Sequence, residues 1–453
     1  MHFVKDKNFY ITCFKIGIPI ILQGLISQAT TTVDSLMLGN VDGTGVFLSA
    51  ASLANQPFRL MGMFCFGLAG GASVLCSQYW GKKDLRPIRT IMSMVLKISL
   101  IVSFLFSVVT LAMPEKIMSL YTPTDRIIVA GASYLRIVAF DYIFFAFSST
   151  LICMARSVEI VNISLICTLS ALVTNLSLNW ILIFGHLGFA PMGIRGAAIA
   201  TLISRLLEFL LSTLYIFCFD HKLSLRFYHL KSISKPLLSD LLKYGTPVLA
   251  NEVMFSLATN IQASIIGHIT YISGDPVAAY TVSTILEELA TASVYGVSTA
   301  ACVLVGMSIG NKQFKEARER TNTLLILSVA VGAATAGIIL ALKPFVLRLY
   351  QLPVETLWLA DQMITVTAFI VFFLAISYTC ILGVLRGAGD TRFCLITEIS
   401  LLWIVALPCA LLATRLQFPI PVVLICMRLD DPLKTIFCFL RIRGNRWMKP
   451  VTR

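Results

Sequence analysis

The amino-acid sequence consists of one strongly apolar unit that is repeated, and this duplication restricts the fold more than any other feature. The segment Lys15–Pro19 (KIGIP) recurs as Lys243–Pro247 (KYGTP), and Arg156 has a counterpart in Arg386. The offset between matching residues stays between 228 and 230 along the chain. Such a constant offset indicates two structurally related halves, each of which has to bury or embed its own apolar surface.

The composition indicates that both halves lie in a membrane. Hydrophobic residues make up 57% of the 453 residues and charged residues 13%, against about 25% charged in an average soluble domain. About 20 apolar residues are needed for a helix to cross the hydrocarbon layer. We predict an all-α integral membrane protein with twelve transmembrane helices, in stretches at about 11–38, 46–77, 91–113, 128–153, 162–184, 193–219, 241–272, 277–308, 321–342, 356–385, 393–414 and 418–440.

The net charge of +13 is distributed in a way that predicts topology. Short loops rich in Lys and Arg remain in the cytoplasm. The basic clusters all follow even-numbered stretches, which places both termini in the cytoplasm of a multi-pass protein of the cell membrane; a soluble basic face for nucleic acid is not evident. These clusters contain Lys82, Lys83, Arg86 and Arg89; Lys222, Arg226, Lys231 and Lys235; Lys312, Lys315, Arg318 and Arg320; Arg386 and Arg392; and Arg441, Arg443, Arg446 and Lys449.

The polar segment at 220–240 separates the two halves. We therefore predict an N-terminal lobe at 1–219, a cytoplasmic linker at 220–240 and a C-terminal lobe at 241–453. Because each lobe has six spans, both insert with the same orientation, and a pseudo-twofold axis along the membrane normal should relate them. The cleft on that axis is the expected substrate path. Pro19 and Pro247 should bend the first helix of each lobe.

Asp34 is the embedded acid with the clearest chemical context. It follows Thr30–Thr32 and has no adjacent Lys or Arg, so its surroundings suit a hard cation such as Na⁺, or a proton if desolvation favours the neutral acid. The other interpretation is an acid at a helix end in the headgroup region. Asn175 and Asn179 share one helix face; they either complete the cation site or form hydrogen bonds between helices.

Further embedded charges point to a substrate cavity. Arg59 lies deep in the second span, and its counterpart in the other half is Glu288, next to Glu287. Opposite charges at related positions could pair when the cleft closes. Glu252 and Asp141 are additional embedded acids, and acids in the cavity favour a cationic substrate.

Some charges should neutralise each other along one helix, since side chains three or four residues apart are neighbours. Such self-paired charges need have no role in transport. The pairs predicted in this way are Arg205 with Glu208, Arg428 with Asp431, and Asp430 with Lys434.

Other functional classes find little support in the sequence. The twelve Cys residues are scattered without a C-x-x-C pair, and the five His residues have no metal spacing. Neither a phosphate-binding loop nor a catalytic Ser motif is present. We therefore predict that the protein is not an enzyme and has no cofactor apart from a coupling ion, Na⁺ or H⁺. The one metal ion that the sequence suggests is Na⁺, at Asp34.

Several motifs are spread along essentially the whole chain. They are Gly17-x-Pro19, Val33-Asp34-Ser35, Gly81-Lys82-Lys83, the stretch from Asn175 to Gly185, Gly193 to Thr201, Gly306-x-x-x-Gly310-Asn311, Leu385 to Thr391, and the tail from Asp430 to Trp447. Through these motifs the chain resembles the bacterial multidrug and toxic compound extrusion (MATE) transporters over essentially its whole length.

This resemblance implies antiport, in which Na⁺ or H⁺ enters while an organic cation leaves. The first-span Asp of the family matches Asp34, and the fifth-span polar pair matches Asn175 and Asn179. Some members carry Asp where this chain has Asn179, which removes one negative charge here. Thr201, the last residue of its motif, joins these three residues in the predicted coupling site.

We thus expect a multidrug exporter that works by alternating access and functions as a monomer. Its partners would be the lipid bilayer and small organic cations. A flippase for lipid-linked or polysaccharide precursors, with the same two-lobed architecture, is the alternative. A channel or membrane enzyme would need a pore loop or a clustered active site, and neither is found in the sequence.

Overall fold

The computed structural model describes residues 4, 6–39, 41, 46–269, 271–349, 353–444 and 446–452, and these contain helices without any strand. The first half contains α1 (Lys7–Gly39), α2 (Val46–Ala54), α3 (Gln56–Gly81), α4 (Leu85–Ala112), α5 (Pro114–Ser119), α6 (Asp125–Val138), α7 (Asp141–Arg156), α8 (Asn162–Phe184) and α9 (Ile194–Leu214). The second half contains α10 (Lys235–Gly267), α11 (Pro276–Gly310), α12 (Phe314–Leu349), α13 (Val354–Tyr378), α14 (Thr391–Ile399), α15 (Leu407–Arg415), α16 (Ile420–Met427) and α17 (Asp430–Arg443).

Short irregular helical segments extend several of these elements. A π-helical turn at Tyr215–Phe219 follows α9, another at Thr379–Leu385 follows α13, and a third at Ser400–Ala406 joins α14 to α15. A 3₁₀ turn at Phe227–Lys231 lies in the segment between the halves.

The helices confirm an all-α, multi-pass membrane protein. Within the described ranges, nine helices are long and apolar enough to cross a bilayer. The count rises to ten if α6 and α7, which meet at a bend of 54°, form one broken span. The remaining two predicted spans fall on α10, which carries polar residues such as Asn251, and on the interrupted pair α16 and α17. Pro19 and Pro247 lie inside α1 and α10, as expected.

The chain divides into two compact units, each of which is discontinuous in sequence. We call Leu22–Ala72 with Leu85–Leu242 the N-terminal unit, and Met1–Ile21 with Ser73–Asp84 and Lys243–Arg453 the C-terminal unit. Both α1 and α3 therefore contribute residues to each unit. The lobe boundaries at 219 and 241 stay a prediction.

The N-terminal unit has an apolar core in which short and long helices meet. Fully buried members include Met61 on α3, Leu135 on α6 and Tyr142 on α7. Small residues of α2, such as Ala50 and Ala54, are also fully buried. Because helices in lipid associate mainly through close packing, these alanines let α2 lie against α6.

In the C-terminal unit, two glycines allow a very close approach of α3 and α11. A Cβ added to Gly81 would overlap the carbonyl of Met307, and one added to Gly310 would overlap the carbonyl of Gln78. Glycine is therefore required at both positions for contact between the helix backbones. Gly81 and Gly310, which belong to two of the sequence motifs, thus mark a packing site.

The carboxyl-terminal segment is attached to the same unit by buried polar groups. Gln78 is fully buried; its side-chain amide donates to the carbonyls of Gly387 (3.1 Å) and Lys449 (3.2 Å) and accepts from the Val451 amide (2.8 Å). Trp447 is fully buried as well. The residues after α17 are consequently an integral part of the C-terminal unit.

Candidate functional site

The predicted coupling residues Asp34 and Asn179 lie in direct contact in the N-terminal unit. The Asn179 side-chain amide donates to Asp34 Oδ1 at 2.6 Å and to Asn175 Oδ1 at 3.0 Å. Asn175 is 4% exposed and Asn179 1%, and Asn179 Oδ1 has no hydrogen-bond partner. The spacing of four residues on α8 therefore places two amide side chains, one with an acceptor that lacks a donor, beside a carboxylate.

Asp34 borders two cavities within the same unit, and Asn175 borders the larger of them. The larger has a volume of about 340 Å³ and the smaller about 240 Å³. Asp34, Thr201 and Arg205 line both. Thr201 donates its hydroxyl to the Ala197 carbonyl at 3.0 Å, which leaves the lone pairs of that oxygen for another donor or a cation. The four predicted coupling residues thus belong to one region of the N-terminal unit.

Arg205 supplies a positive charge that lines both cavities. Its guanidinium donates to Glu208 at 2.8 Å, which confirms the predicted i,i+3 pair. The same group lies 5.1 Å from the Phe145 ring centre and 5.9 Å from that of Phe58. Aromatic faces attract cations, so these rings hold the guanidinium against the cavity wall.

Arg156 and Gln23 lie at another part of the larger cavity. Arg156 Nη2 donates to Gln23 Oε1, and both residues line the cavity. No Asp or Glu of the described chain comes within 4 Å of this guanidinium. The cavity therefore contains an arginine whose immediate partner is a neutral amide.

Asp141 lines the smaller cavity together with Asp34, Asn55, Tyr134 and Arg205. It is 1% exposed, and its Oδ1 has no hydrogen-bond partner. The structure thus brings this predicted cavity acid close to the predicted coupling site. Arg59 lines the same cavity and is exposed.

The remaining predicted cavity acids belong to the C-terminal unit. Glu252 forms an ion pair with Arg386 at 3.1 Å, and Glu287 forms one with Arg428. Glu288 is exposed. The predicted partner of Arg428 was wrong: the guanidinium binds Glu287 on another helix instead of Asp431, because tertiary packing brings that carboxylate closer. The pairing of Arg59 with Glu288 stays a prediction.

Lys434 is the centre of a buried charge cluster in the C-terminal unit. Its ammonium lies 2.6 Å from Asp430, which confirms the predicted i,i+4 pair, and 3.7 Å from Glu398. Asp431, at 3.8 Å, also accepts from Ser377 at 3.0 Å. No group of three or more His, Cys, Asp or Glu side chains able to hold a metal ion occurs within the described ranges.

Sequence reasoning missed the contribution of Gln23, Arg156 and Phe145 to the cavity. A single polar or aromatic residue in a span usually packs against a neighbouring helix, so none of these residues stands out alone. The repeat did relate these residues to charged residues of the second half: Gln23 is offset by 229 residues from Glu252, and Arg156 by 230 from Arg386.

Embedded polar cavities in a duplicated helical protein define a multi-pass membrane protein with a transporter fold. The MatE family profile matches residues 19–181 and 247–412, well over half of the chain. The chain therefore belongs to the MatE family, and the resemblance seen in the sequence motifs is confirmed.

Relatives and solved structures agree with this assignment. The chain is 24% identical to the probable multidrug resistance protein YoeA of Bacillus subtilis, over 87% of this chain and 84% of the relative. It is also 24% identical to the probable multidrug resistance protein NorM of Thermotoga maritima, over 88% and 85%. An outward-facing MATE family transporter of the MOP superfamily has a TM-score of 0.84 at 17% identity, with 95% of this chain and 94% of that chain covered. This similarity shows the fold.

Proposed function

We propose that the protein is a secondary active multidrug exporter of the cell membrane, in which Na⁺ or H⁺ enters as an amphipathic organic cation leaves. The observation that carries the proposal is the contact between the Asp34 carboxylate and the buried Asn179 amide at the edge of two cavities. A carboxylate held by a neutral amide keeps its negative charge available for an incoming cation.

Na⁺ would be bound by the oxygens of Asp34, Asn175, Asn179 and Thr201. The unpartnered Asn179 Oδ1 fits this role, since a buried acceptor without a donor gains from a cation. A proton would instead bind Asp34 itself, and the asparagines would then orient the acid. Either ion removes the net negative charge of the carboxylate before the lobes change their access from one side to the other.

The inward gradient of the coupling ion would drive the exchange. A one-for-one exchange of monovalent cations moves no net charge and depends on the concentration gradient of the ion alone. If two ions entered for each organic cation, one net charge would cross, and 100 mV would add about 2.3 kcal/mol, a concentration ratio of about 50-fold. Basic loops after even-numbered spans place both termini in the cytoplasm in this proposal, and the transported ion then enters from outside.

The names of the relatives support drugs as the substrates, since YoeA and NorM are described as probable multidrug resistance proteins. Phe58, Phe66 and Phe145 give the larger cavity an apolar aromatic wall, which suits flat organic molecules of varied structure. A lipid-linked precursor is not favoured by this cavity of about 340 Å³.

Transport in everted vesicles tests the proposal. Efflux of a fluorescent organic cation is measured first under an imposed Na⁺ gradient and then under an imposed pH gradient. We expect one of the two gradients to drive accumulation, and we expect Asp34→Asn to abolish the response. If Asp34→Asn left the ion-driven transport unchanged, the coupling site would have been assigned to the wrong residues.

A further inference from the structure

The two halves of the chain differ at one pair of related contacts. In the C-terminal unit, Arg386 forms an ion pair with Glu252 at 3.1 Å. In the N-terminal unit the corresponding contact joins Arg156 to Gln23. Both halves thus have an arginine in contact with a residue of their first helix. That residue is the carboxylate Glu252 in the second half and the neutral amide Gln23 in the first.

Because Gln23 stands where the other half has a glutamate, Arg156 keeps its positive charge without a carboxylate partner at the wall of the larger cavity. A buried or half-buried charge in a membrane protein is costly unless it has a partner. Glu252 provides that partner for Arg386, whereas Gln23 offers Arg156 one neutral acceptor. The Nε–H of Arg156 is also buried without an acceptor, so Gln23 satisfies only part of the hydrogen-bonding capacity of the guanidinium.

The other charges of the cavity do not compensate Arg156. Glu208 is engaged by Arg205 at 2.8 Å, and Asp34 is held by the Asn179 amide at 2.6 Å. Among the described residues of this cavity, Asp34 and Arg156 therefore remain without an ion-pair partner within 4 Å. Asp34 and the Gln23 that holds Arg156 are eleven residues apart on α1, which corresponds to about 16 Å along the helix.

We propose that Arg156 is an anchor for a carboxylate group, so that the preferred substrates are aromatic molecules with a carboxylate and a basic group. This inference rests on the proposed function and assigns Arg156 as a specificity-determining residue of its cavity. The carboxylate would bind the Arg156 guanidinium through charge-assisted hydrogen bonds, the basic group would face Asp34, and the aromatic body would lie against Phe58 and Phe145. Gln23 would hold the guanidinium without neutralising it.

A matched pair of dyes tests the anchor. One is a rhodamine with a free benzoate carboxyl, and the other is the methyl ester of the same dye, which lacks the negative charge. Binding to the purified full-length protein and efflux from vesicles are both measured. We expect the wild-type protein to bind the free acid about tenfold more tightly than the ester, a difference of about 1.4 kcal/mol.

Gln23→Glu restores in the first half the carboxylate present in the second. We expect it to remove the preference for the free acid while the ester still binds, because the introduced carboxylate would occupy the guanidinium. Arg156→Gln should remove the preference as well. Gln28→Glu adds the same charge to α1 outside the residues that line the cavity, and we expect the preference to remain.

The outcomes separate this inference from the proposed function. Equal binding of the two dyes by the wild type, tighter binding of the ester, or no binding of the free acid would overturn the anchor. A preference that survives in both Gln23→Glu and Arg156→Gln would also overturn it. Preferential binding of the free acid without ion-driven efflux would support the anchor and contradict the exporter.

Discussion

Asn179 donates its side-chain amide to both Asp34 Oδ1, at 2.6 Å, and Asn175 Oδ1, at 3.0 Å. This shared donor joins α8 to α1 and sets the orientation of the carboxylate. Because Asn179 is 1% exposed, bulk water does not compete for its amide. In the proposed function, an ion or proton at Asp34 would change this contact between two helices and so link ion binding to helix movement.

Replacement of Asn179 by Asp tests whether this contact forms a Na⁺ site. The new carboxylate lies within hydrogen-bond distance of Asp34, and two unit charges about 4 Å apart interact by about 4 kcal/mol at an effective dielectric constant of about 20. A cation would relieve that repulsion. We expect the Na⁺ concentration for half-maximal efflux to fall about tenfold or more, with Asn179→Ala as the control that raises it. An unchanged Na⁺ dependence would contradict a sodium site.

Part of this site was predictable from the sequence. The positions of Asp34, Asn175 and Asn179 came from an i,i+4 spacing and from family motifs, and helical geometry is local enough for both signals to hold. The Arg205–Glu208 contact was predictable for the same reason. All of these signals lie within one helix or one motif.

Contacts between distant helices were not predictable in the same way. Arg428 has Asp431 three residues away but binds Glu287, 141 residues earlier, because helix packing decides which carboxylate it meets. The link between Arg156 and Gln23 depends on tertiary packing as well. The repeat would have indicated it only if the related contact of Arg386 with Glu252 had already been known.

Gly310 should tolerate no side chain, since a Cβ there would overlap the carbonyl of Gln78. We expect Gly310→Ala to force α11 away from α3 and to destabilise the protein by about 1–3 kcal/mol. The melting temperature of the purified protein in detergent measures this effect. Gly337→Ala is the matched control on α12, because no atom lies within 4 Å of its added Cβ. Equal melting temperatures for the two variants would contradict the close contact.

Asp390 should be more important for stability than a surface ion pair. It is 1% exposed and accepts from Arg441 at 2.8 Å and from Lys449 at 2.6 Å, which ties the chain terminus to the C-terminal unit. The two hydrogen bonds to this carboxylate are charge-assisted and worth about 1.5–3 kcal/mol each, although the partly exposed Arg441 and Lys449 can be solvated once it is lost. Asp390→Asn should therefore lower the melting temperature measurably.

Glu115→Gln provides the comparison for Asp390. Glu115 pairs with Arg136 while both side chains are at least half exposed, and such pairs contribute about 0–1 kcal/mol. We expect little change in the melting temperature of this variant. If limited proteolysis cut the carboxyl-terminal segment equally fast in Asp390→Asn and wild-type protein, the anchoring of that segment by Asp390 would be disproved.

Lys434 faces three buried carboxylates, and its replacement should destabilise the C-terminal unit strongly. Its side chain is 2% exposed, and it lies within 4 Å of Glu398, Asp430 and Asp431. Lys434→Met would leave those carboxylates without their shared cation, and we expect a loss of about 3–5 kcal/mol, visible as poor expression or a low melting temperature. Because the cost arises from uncompensated negative charge, adding Asp430→Asn to Lys434→Met should recover part of the loss. A double variant no more stable than Lys434→Met alone would show that packing of the lysine, and not its charge, stabilises this cluster.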